Sequence, residues 1–260
     1  MSFETITTQI QRSAFVIQLN RPTRRNAVSE QMMDDIVGAC GEAAENKDVS
    51  AIVLTGGSEY FSAGADLTEA FQVSTALQGR RYFGHWHRLN DALEQSPKPV
   101  IAAIEGFCMT GGLELALAAD LRVASENATF AITSSRIGTV AGAGGTQRLP
   151  RVVGMANALD LLFAAEPIDS AEALRIGLIN RRTANGSALT EALKLADHYA
   201  TRAPIALAFV KRAVHRGMQM DLASAIEFET MLVTTVYGTE DKAEGIAAFL
   251  EKRQANFKGA

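Results

Sequence analysis

Only two cysteines occur in 260 residues, Cys40 and Cys108. They lie far apart without metal-ligand spacing, which excludes a zinc site or a disulfide framework built on them. No apolar run is long enough to span a bilayer. The two longest, around residues 99–104 and 113–119, are broken by Glu105, Glu114 and Asp120. Excess charge is small, with 25 Lys and Arg against 29 Asp and Glu for a formal net charge of −4. No basic field therefore points to nucleic acid or to an anionic membrane surface. The N-terminal Met-Ser-Phe-Glu-Thr lacks a basic stretch leading into an apolar one, so no secretory signal is read and a reducing cytoplasmic setting is expected. Internal repeats and low-complexity tracts are also missing.

What is present is an ordinary globular composition, 47% apolar and 21% charged. The length suits one large domain, or a domain with an appendage. Residues 13–19, 50–55, 99–104, 121–124 and 129–132 are rich in β-branched and apolar side chains and read as strands. Met32, Met33, Ile36, Val37 and Cys40 have helical spacing and predict a helix over 29–46. A second fits 78–95, ended by Pro97 and Pro99. Strands alternating with helices give an α/β core. The last third changes character. Asp169 and Glu172 form a candidate capping box, and Pro204 suits a first helical turn. From about Gly186 onward only helices are read. Apolar faces there run through Leu222, Ile226, Leu232, Val233 and Val236, and through Ile246, Phe249 and Leu250. Such a helical region docks on a neighbouring subunit or on its own core.

Three segments concentrate glycine: residues 60–67 around Gly64, residues 106–115 with Gly111-Gly112-Leu113-Glu114, and residues 138–147 with Gly142-Ala143-Gly144-Gly145. Glycine permits close backbone approach to a ligand and positive φ. Gly111 and Gly112 open a predicted helix over 113–119, where several N–H groups lack intrahelical partners and favour negative charge. Glu114 follows in the same turn. One short segment thus offers an anion-stabilising amide and a carboxylate, a pairing suited to proton chemistry beside a carbonyl. Equally, strand–Gly–helix turns are common, and a first-turn Glu often serves only the helix terminus. The third segment lacks the Gly-Lys-Ser/Thr ending of a phosphate loop.

Taken in order, these segments resemble the crotonase superfamily, and enoyl-CoA hydratases in particular. The resemblance runs from Leu19-Asn20-Arg21-Pro22 and Asn26-Ala27 through Phe61–Leu67, Gly111–Ala116, Ala119–Arg122, Gly142–Leu149 and Ala171-Glu172-Ala173 to Glu244-Gly245, Phe249–Arg253 and Phe257. It implies a spiral of repeated strand–strand–helix turns, placed here at residues 1–200, with a C-terminal helical region at 201–260 that forms homotrimers or hexamers made of two trimers. It implies an acyl-CoA thioester as substrate and no separate cofactor or metal. The thioester oxygen would sit between two backbone N–H donors, placed by motif on Ala63 and Gly111. The segment Ala63, Ala65, Asp66 and Leu67 would border the adenine. Arg24, Arg25 and Ala27 would lie near the CoA phosphates and pantetheine.

One position departs from that family. Hydratases carry two active-site glutamates; Glu114 matches the first, while Ser134 stands where the second belongs. Serine hydrogen-bonds water or substrate but cannot act as a carboxylate acid/base near neutral pH. Three chemistries stay open: hydration by Glu114 alone, double-bond isomerisation with Glu114 as sole base, or another enolate reaction such as decarboxylation or hydrolysis. A catalytically weak CoA-binding subunit is the reading from a different class. His85 and His87 flank Trp86 on different helix faces and read as packing or surface residues. Cys108 reads as a small core residue.

Overall fold

Continuous apolar runs in a chain of this kind build strands buried on both faces. In the computed structural model, which describes residues 3–260, the central strands have that character; the first two residues of the N-terminal segment read above lie outside the described part. Strands β1 (Ile6–Gln11), β2 (Ala14–Leu19), β3 (Ala51–Thr55), β4 (Val100–Ile104), β6 (Leu121–Ser125) and β9 (Arg181–Thr183) form one sheet in the order β1-β2-β3-β4-β6-β9. Only β1 runs antiparallel to its neighbour; the remaining pairs are parallel. A second, smaller sheet joins β5 (Phe107–Met109), β7 (Thr129–Ala131) and β8 (Ile168–Asp169). Strands β4 and β5 follow one another into different sheets, as do β6 and β7, so the chain steps between two walls as it advances.

The period of two along β3 and β4 sorts their side chains into two cores. Ile52, Leu54, Val100, Ala102 and Ile104 face the larger core, packed by helices α1 (Glu30–Glu45), α3 (Ala76–Glu94) and α4 (Gly111–Leu117). Val53, Ile101 and Ala103 face the smaller core, covered by α8 (Ala188–Tyr199). Short helix α2 (Leu67–Phe71) precedes α3. Helices α5 (Gly145–Val153), α6 (Met155–Ala164) and α7 (Ser170–Arg175) lie between β7 and β9. After Thr183 all regular structure is helical, ending with α9 (Pro204–Gly217), α10 (Leu222–Val236) and α11 (Glu240–Glu251). No described helix is long and apolar enough to cross a membrane.

Two sequence expectations change in detail. The helix expected at 113–119 begins two residues earlier, because both glycines enter its first turn. The capping box at Asp169 is half made: its carboxylate accepts from the Glu172 N–H at 2.8 Å, but Glu172 turns to Arg175 in a two-pronged ion pair.

Helix α4 contains Gly111 and Glu114, and its C-terminal end is fixed by a buried cation. The Arg122 guanidinium donates to the carbonyls of Leu178 (2.7 Å), Ala119 (2.8 Å) and Ala116 (3.2 Å). A cation at the carbonyl end of a helix is favourable, and here it also ties α4 to the chain leading into β9. Replacing Arg122 with Met leaves these buried acceptors without their donor. A loss of roughly 3 kcal/mol or more of stability is expected, read as a lowered urea midpoint; an unchanged midpoint contradicts this role.

Candidate active site

The turn from β5 into α4 is built on Thr110, whose φ of +45° and ψ of −113° lie outside the comfortable regions for a side-chain-bearing residue. Hydrogen bonds hold it there. Its N–H donates to the Ala131 carbonyl at 2.7 Å, and its hydroxyl meets the Thr133 hydroxyl at 2.9 Å and accepts from the Thr133 N–H. The result presents the Gly111 N–H at the helix terminus, where it has no intrahelical acceptor.

Against this turn runs the first glycine segment. Phe61 N–H donates to the Phe107 carbonyl (3.0 Å) and Met109 N–H to the Ser62 carbonyl (2.9 Å), so the chain at 61–65 lies parallel to that at 107–111. Gly64 has a φ of +111°, and a Cβ there would sit 3.1 Å from the Met109 carbonyl oxygen. At Gly111 a Cβ would meet the Ala65 nitrogen at 3.0 Å and the Trp86 ring at 2.8 Å. The positive φ favours glycine at Gly64, and the close approach favours it at Gly111.

The donor expected at Ala63 is corrected by this geometry. Its N–H is already bonded to the Arg25 carbonyl at 3.0 Å. The Ala65 N–H, by contrast, has no acceptor among the described residues and lies beside Gly111. Alternation explains the offset: the N–H groups of Ala63 and Ala65 flank the positive-φ Gly64, and motif spacing alone does not say which one is spent on the fold.

Glu114 is 3% exposed. Its Oε1 accepts from the Gly145 N–H at 2.8 Å, so the second and third glycine segments meet at this carboxylate. A Cβ at Gly145 would press to 2.9 Å from the same oxygen. Burial disfavours the charged form and pushes the acid up to about 7, while the amides of Gly145 and Ala143 and the charge of Arg148 oppose that rise. Arg148 itself is held by Glu94 in a two-pronged pair at 2.6 and 2.9 Å. Phe83 packs against Gly142, and Trp86 against Gly111, so successive turns of α3 wall the site with aromatic rings.

Ser134 is 5% exposed, and its hydroxyl has no hydrogen-bond partner among the described residues. It follows Thr133, which is tied to Thr110, and so belongs to the segment bracing the Gly111 turn. The flanking residues divide. Asp66 is buried and engaged, its carboxylate paired with Arg21 at 2.9 Å and capping α2 through the Thr68 N–H. Burial raises this acid, but the Arg21 contact and the Thr68 amide outweigh it and hold Asp66 below its usual value. Leu67, Arg24 and Arg25 are exposed, and Ala27 is half-buried. Their turn is bonded to the site through Val28 N–H to the Gly64 carbonyl. His85 approaches Glu30 at 3.7 Å. His87 lines a separate cavity of about 740 Å³ beside α9, whose walls include Arg148 and Gly144 but neither Glu114 nor Gly111. Burial pushes the Cys40 thiol up to about 12 and raises that of Cys108 as well, which leaves both unreactive.

The sequence profile of the enoyl-CoA hydratase/isomerase family matches residues 9–260. The chain belongs to this family. A short-chain-enoyl-CoA hydratase of Clostridium acetobutylicum is 38% identical over 92% of either chain. A crotonyl-CoA hydratase of Syntrophomonas wolfei is 36% identical over 99% of both. Among solved structures, the enoyl-CoA hydratase of Bacillus anthracis superposes with a TM-score of 0.93 at 33% identity, covering 99% of this chain and 100% of that one. The α/β spiral with its helical C-terminal region is therefore the fold of the enoyl-CoA hydratase/isomerase family.

In this family member the proton linkage of Glu114 has a definite sign. Its folded value lies above the ordinary carboxylate value, so the folded state binds the extra proton between about pH 4.5 and 7. Stability contributed by that proton is full below this window and is lost as pH rises through it. Glu114→Gln removes the buried charge and should melt higher than the parent at pH 8, by on the order of 3 kcal/mol, with the gap closing near pH 4. Thermal melts at both pH values test this; a variant less stable at pH 8 contradicts it.

Proposed function

We propose that the protein is an enoyl-CoA hydratase acting on an acyl-CoA thioester. The observation that carries this reading is a buried Glu114 carboxylate one helical turn from the Gly111 N–H, which itself adjoins the Ala65 N–H, both unpaired among the described residues. In this mechanism the thioester oxygen accepts from both amides. Water adds to the β-carbon as Glu114 takes one of its protons, and electron density passes through the α-carbon to the oxygen. Collapse of the enolate forms the α-C–H bond with the proton held by Glu114. Atoms balance without a cofactor. One preorganised donor of this kind typically contributes about 3–4 kcal/mol to the barrier. Ser134 orients water or substrate.

The single carboxylate also supports a second reading, a double-bond isomerase in which Glu114 moves a proton between two carbons. Arg24, Arg25 and Ala27 are assigned to the CoA phosphates and pantetheine, and the backbone at Ala65 and Leu67 to the adenine side. The C-terminal region at 201–260 is assigned to homotrimers or hexamers, supported by exposed Val210, Val214 and Met218 on one face of α9 and by Ile246, Phe249 and Leu250 on α11. The cytoplasm is the compartment that suits this chemistry.

Incubation with crotonyl-CoA tests the reading directly. Loss of the conjugated-thioester absorbance is expected, and Glu114→Gln should slow it by about 10²–10⁴-fold. The rate should climb with pH through about 7, because the charged carboxylate is the form that accepts the water proton. Formation of conjugation from a 3-enoyl thioester, without hydration, favours the isomerase. Ser134→Glu should raise hydration; no gain in a folded variant that still binds thioester shows that the pocket was shaped for one carboxylate.

A further inference from the structure

Asn90 lies on α3, on the same face as Trp86 one turn earlier, and is wholly buried. Its Nδ2 donates to the Ala143 carbonyl at 2.7 Å. The opposite face of that residue's backbone matters to catalysis, since the Ala143 amide and the Gly145 N–H both address the Glu114 carboxylate, the latter at 2.8 Å. A continuous chain of contacts therefore runs from Asn90 through residues 143–145 to Glu114. The segment is largely buried and anchored at its C-terminal end, where the Gly144 carbonyl accepts from the Gln147 and Arg148 N–H groups, but at Ala143 its restraint falls to side chains. It contains Gly142 and Gly144, the latter with φ of +99°, and among the described residues only the Arg148 guanidinium offers the Ala143 carbonyl a second, longer bond at 3.3 Å.

Packing alone does not explain an asparagine here. Its Oδ1 is buried and finds no donor among the described residues, a loss that typically costs about 1–3 kcal/mol. Leucine has similar size and no such cost. Flipping the amide would set Oδ1 against the Ala143 carbonyl, so the Nδ2 contact fixes its orientation.

We propose that Asn90 is a positioning residue for the reaction, holding the 143–145 backbone so that its amides stay aimed at the Glu114 carboxylate. The inference rests on the reading of Glu114 as the acid/base, and it deepens that reading. The charged groups around the carboxylate are Arg148 from α5, with Glu94 and Asp91 of α3 facing Arg148. Substituting Asn90 leaves all of them in place. Release of the loop weakens the amide contacts that favour the carboxylate, so the Glu114 acid should titrate at higher pH in the variant.

The experiment compares the full-length protein with Asn90→Leu by two readouts. One is carboxyl titration in protein labelled with ¹³C at glutamate, the Glu114 signal being identified by its absence in Glu114→Gln. The other is crotonyl-CoA hydration. Asn90→Leu should move the Glu114 titration to higher pH, shift the acid limb of the rate profile the same way, and lower kcat by up to about 100-fold while KM stays within about twofold. Leu93→Ala, a buried change on the same helix, should lose stability without moving either limb. If Asn90→Leu does not fold, Asn90→Ser takes its place, since its shorter side chain cannot reach the carbonyl. An unmoved titration in a folded Asn90 variant overturns the proposal, as does a shift of equal size in Leu93→Ala. A parent protein that hydrates nothing overturns the hydratase reading instead, and the titration still decides the role of Asn90.

Discussion

A carboxylate kept from water has to be neutral, paired with a cation, or met by hydrogen-bond donors. Glu114 is handled by the last of these. Its Oε1 accepts from the Gly145 N–H, with the Ala143 amide adding to the field that favours the charged form, and the nearby cation, Arg148, is committed to Glu94. The balance matters for chemistry. A direct ion pair would hold the acid well below neutrality and make it a poor proton acceptor, while burial without donors would keep it protonated. Burial, opposed chiefly by the Gly145 N–H, leaves it near 7, where both forms are populated. Much of the surrounding architecture follows from that arrangement. Gly145 has no side chain because one would strike Oε1, and α5 begins where it does because its first N–H is spent on this oxygen.

The proposed oxyanion pair depends on the same economy of backbone. Two chain segments must approach until the Ala65 amide stands beside Gly111, and the cost appears as positive φ at Gly64 and Thr110. Glycine absorbs the first without strain. Thr110 does not, and is held by bonds to Ala131 and Thr133. Arg122 fixes the far end of α4 at its carbonyls, so a helix of only seven residues is held at both ends. Short helices are marginal alone. This one is rigid because its termini, rather than its length, are stabilised, and rigidity at the N-terminus is what an amide donor to a developing charge requires.

The parts of this design that were legible in the sequence share a physical cause. Strands β3 and β4 and helix α1 announce themselves because burial on both faces, or on one stripe, repeats over enough residues to set a pattern. Gly111 and Glu114 stand out in sequence only through the ordered set of glycine segments, since a glycine at a helix start followed by a first-turn glutamate is common by itself. Strands β5, β8 and β9, of two or three residues, are too short to establish a period, and β1, at the sheet edge, carries Thr and Gln at four of its six positions, so no apolar alternation shows. The placement of the first donor failed for a subtler reason. Amides two residues apart look alike in a motif, and only the turn at Arg25, whose carbonyl takes the Ala63 N–H, separates them. Asn90 left no signal, since a polar residue in a helix normally faces solvent; its partner is a carbonyl 53 positions away.

Ser134 bears on how one carboxylate suffices. In syn addition to a conjugated thioester the proton removed from water and the proton delivered to the α-carbon can be the same one, provided a single group accepts and then releases it. A strong base accepts but does not release, and a strong acid does the reverse; a group balanced near 7 does both at neutral pH. Water must still be held while its proton leaves, and a hydroxyl accepts or donates for that purpose without competing for the charge. Ser134 is largely buried and its hydroxyl has no partner among the described residues, in a segment fixed to the Gly111 turn through Thr133. On the proposed mechanism, that hydroxyl is free to hold water, so the departure at residue 134 changes how water is positioned and leaves the acid/base work to Glu114.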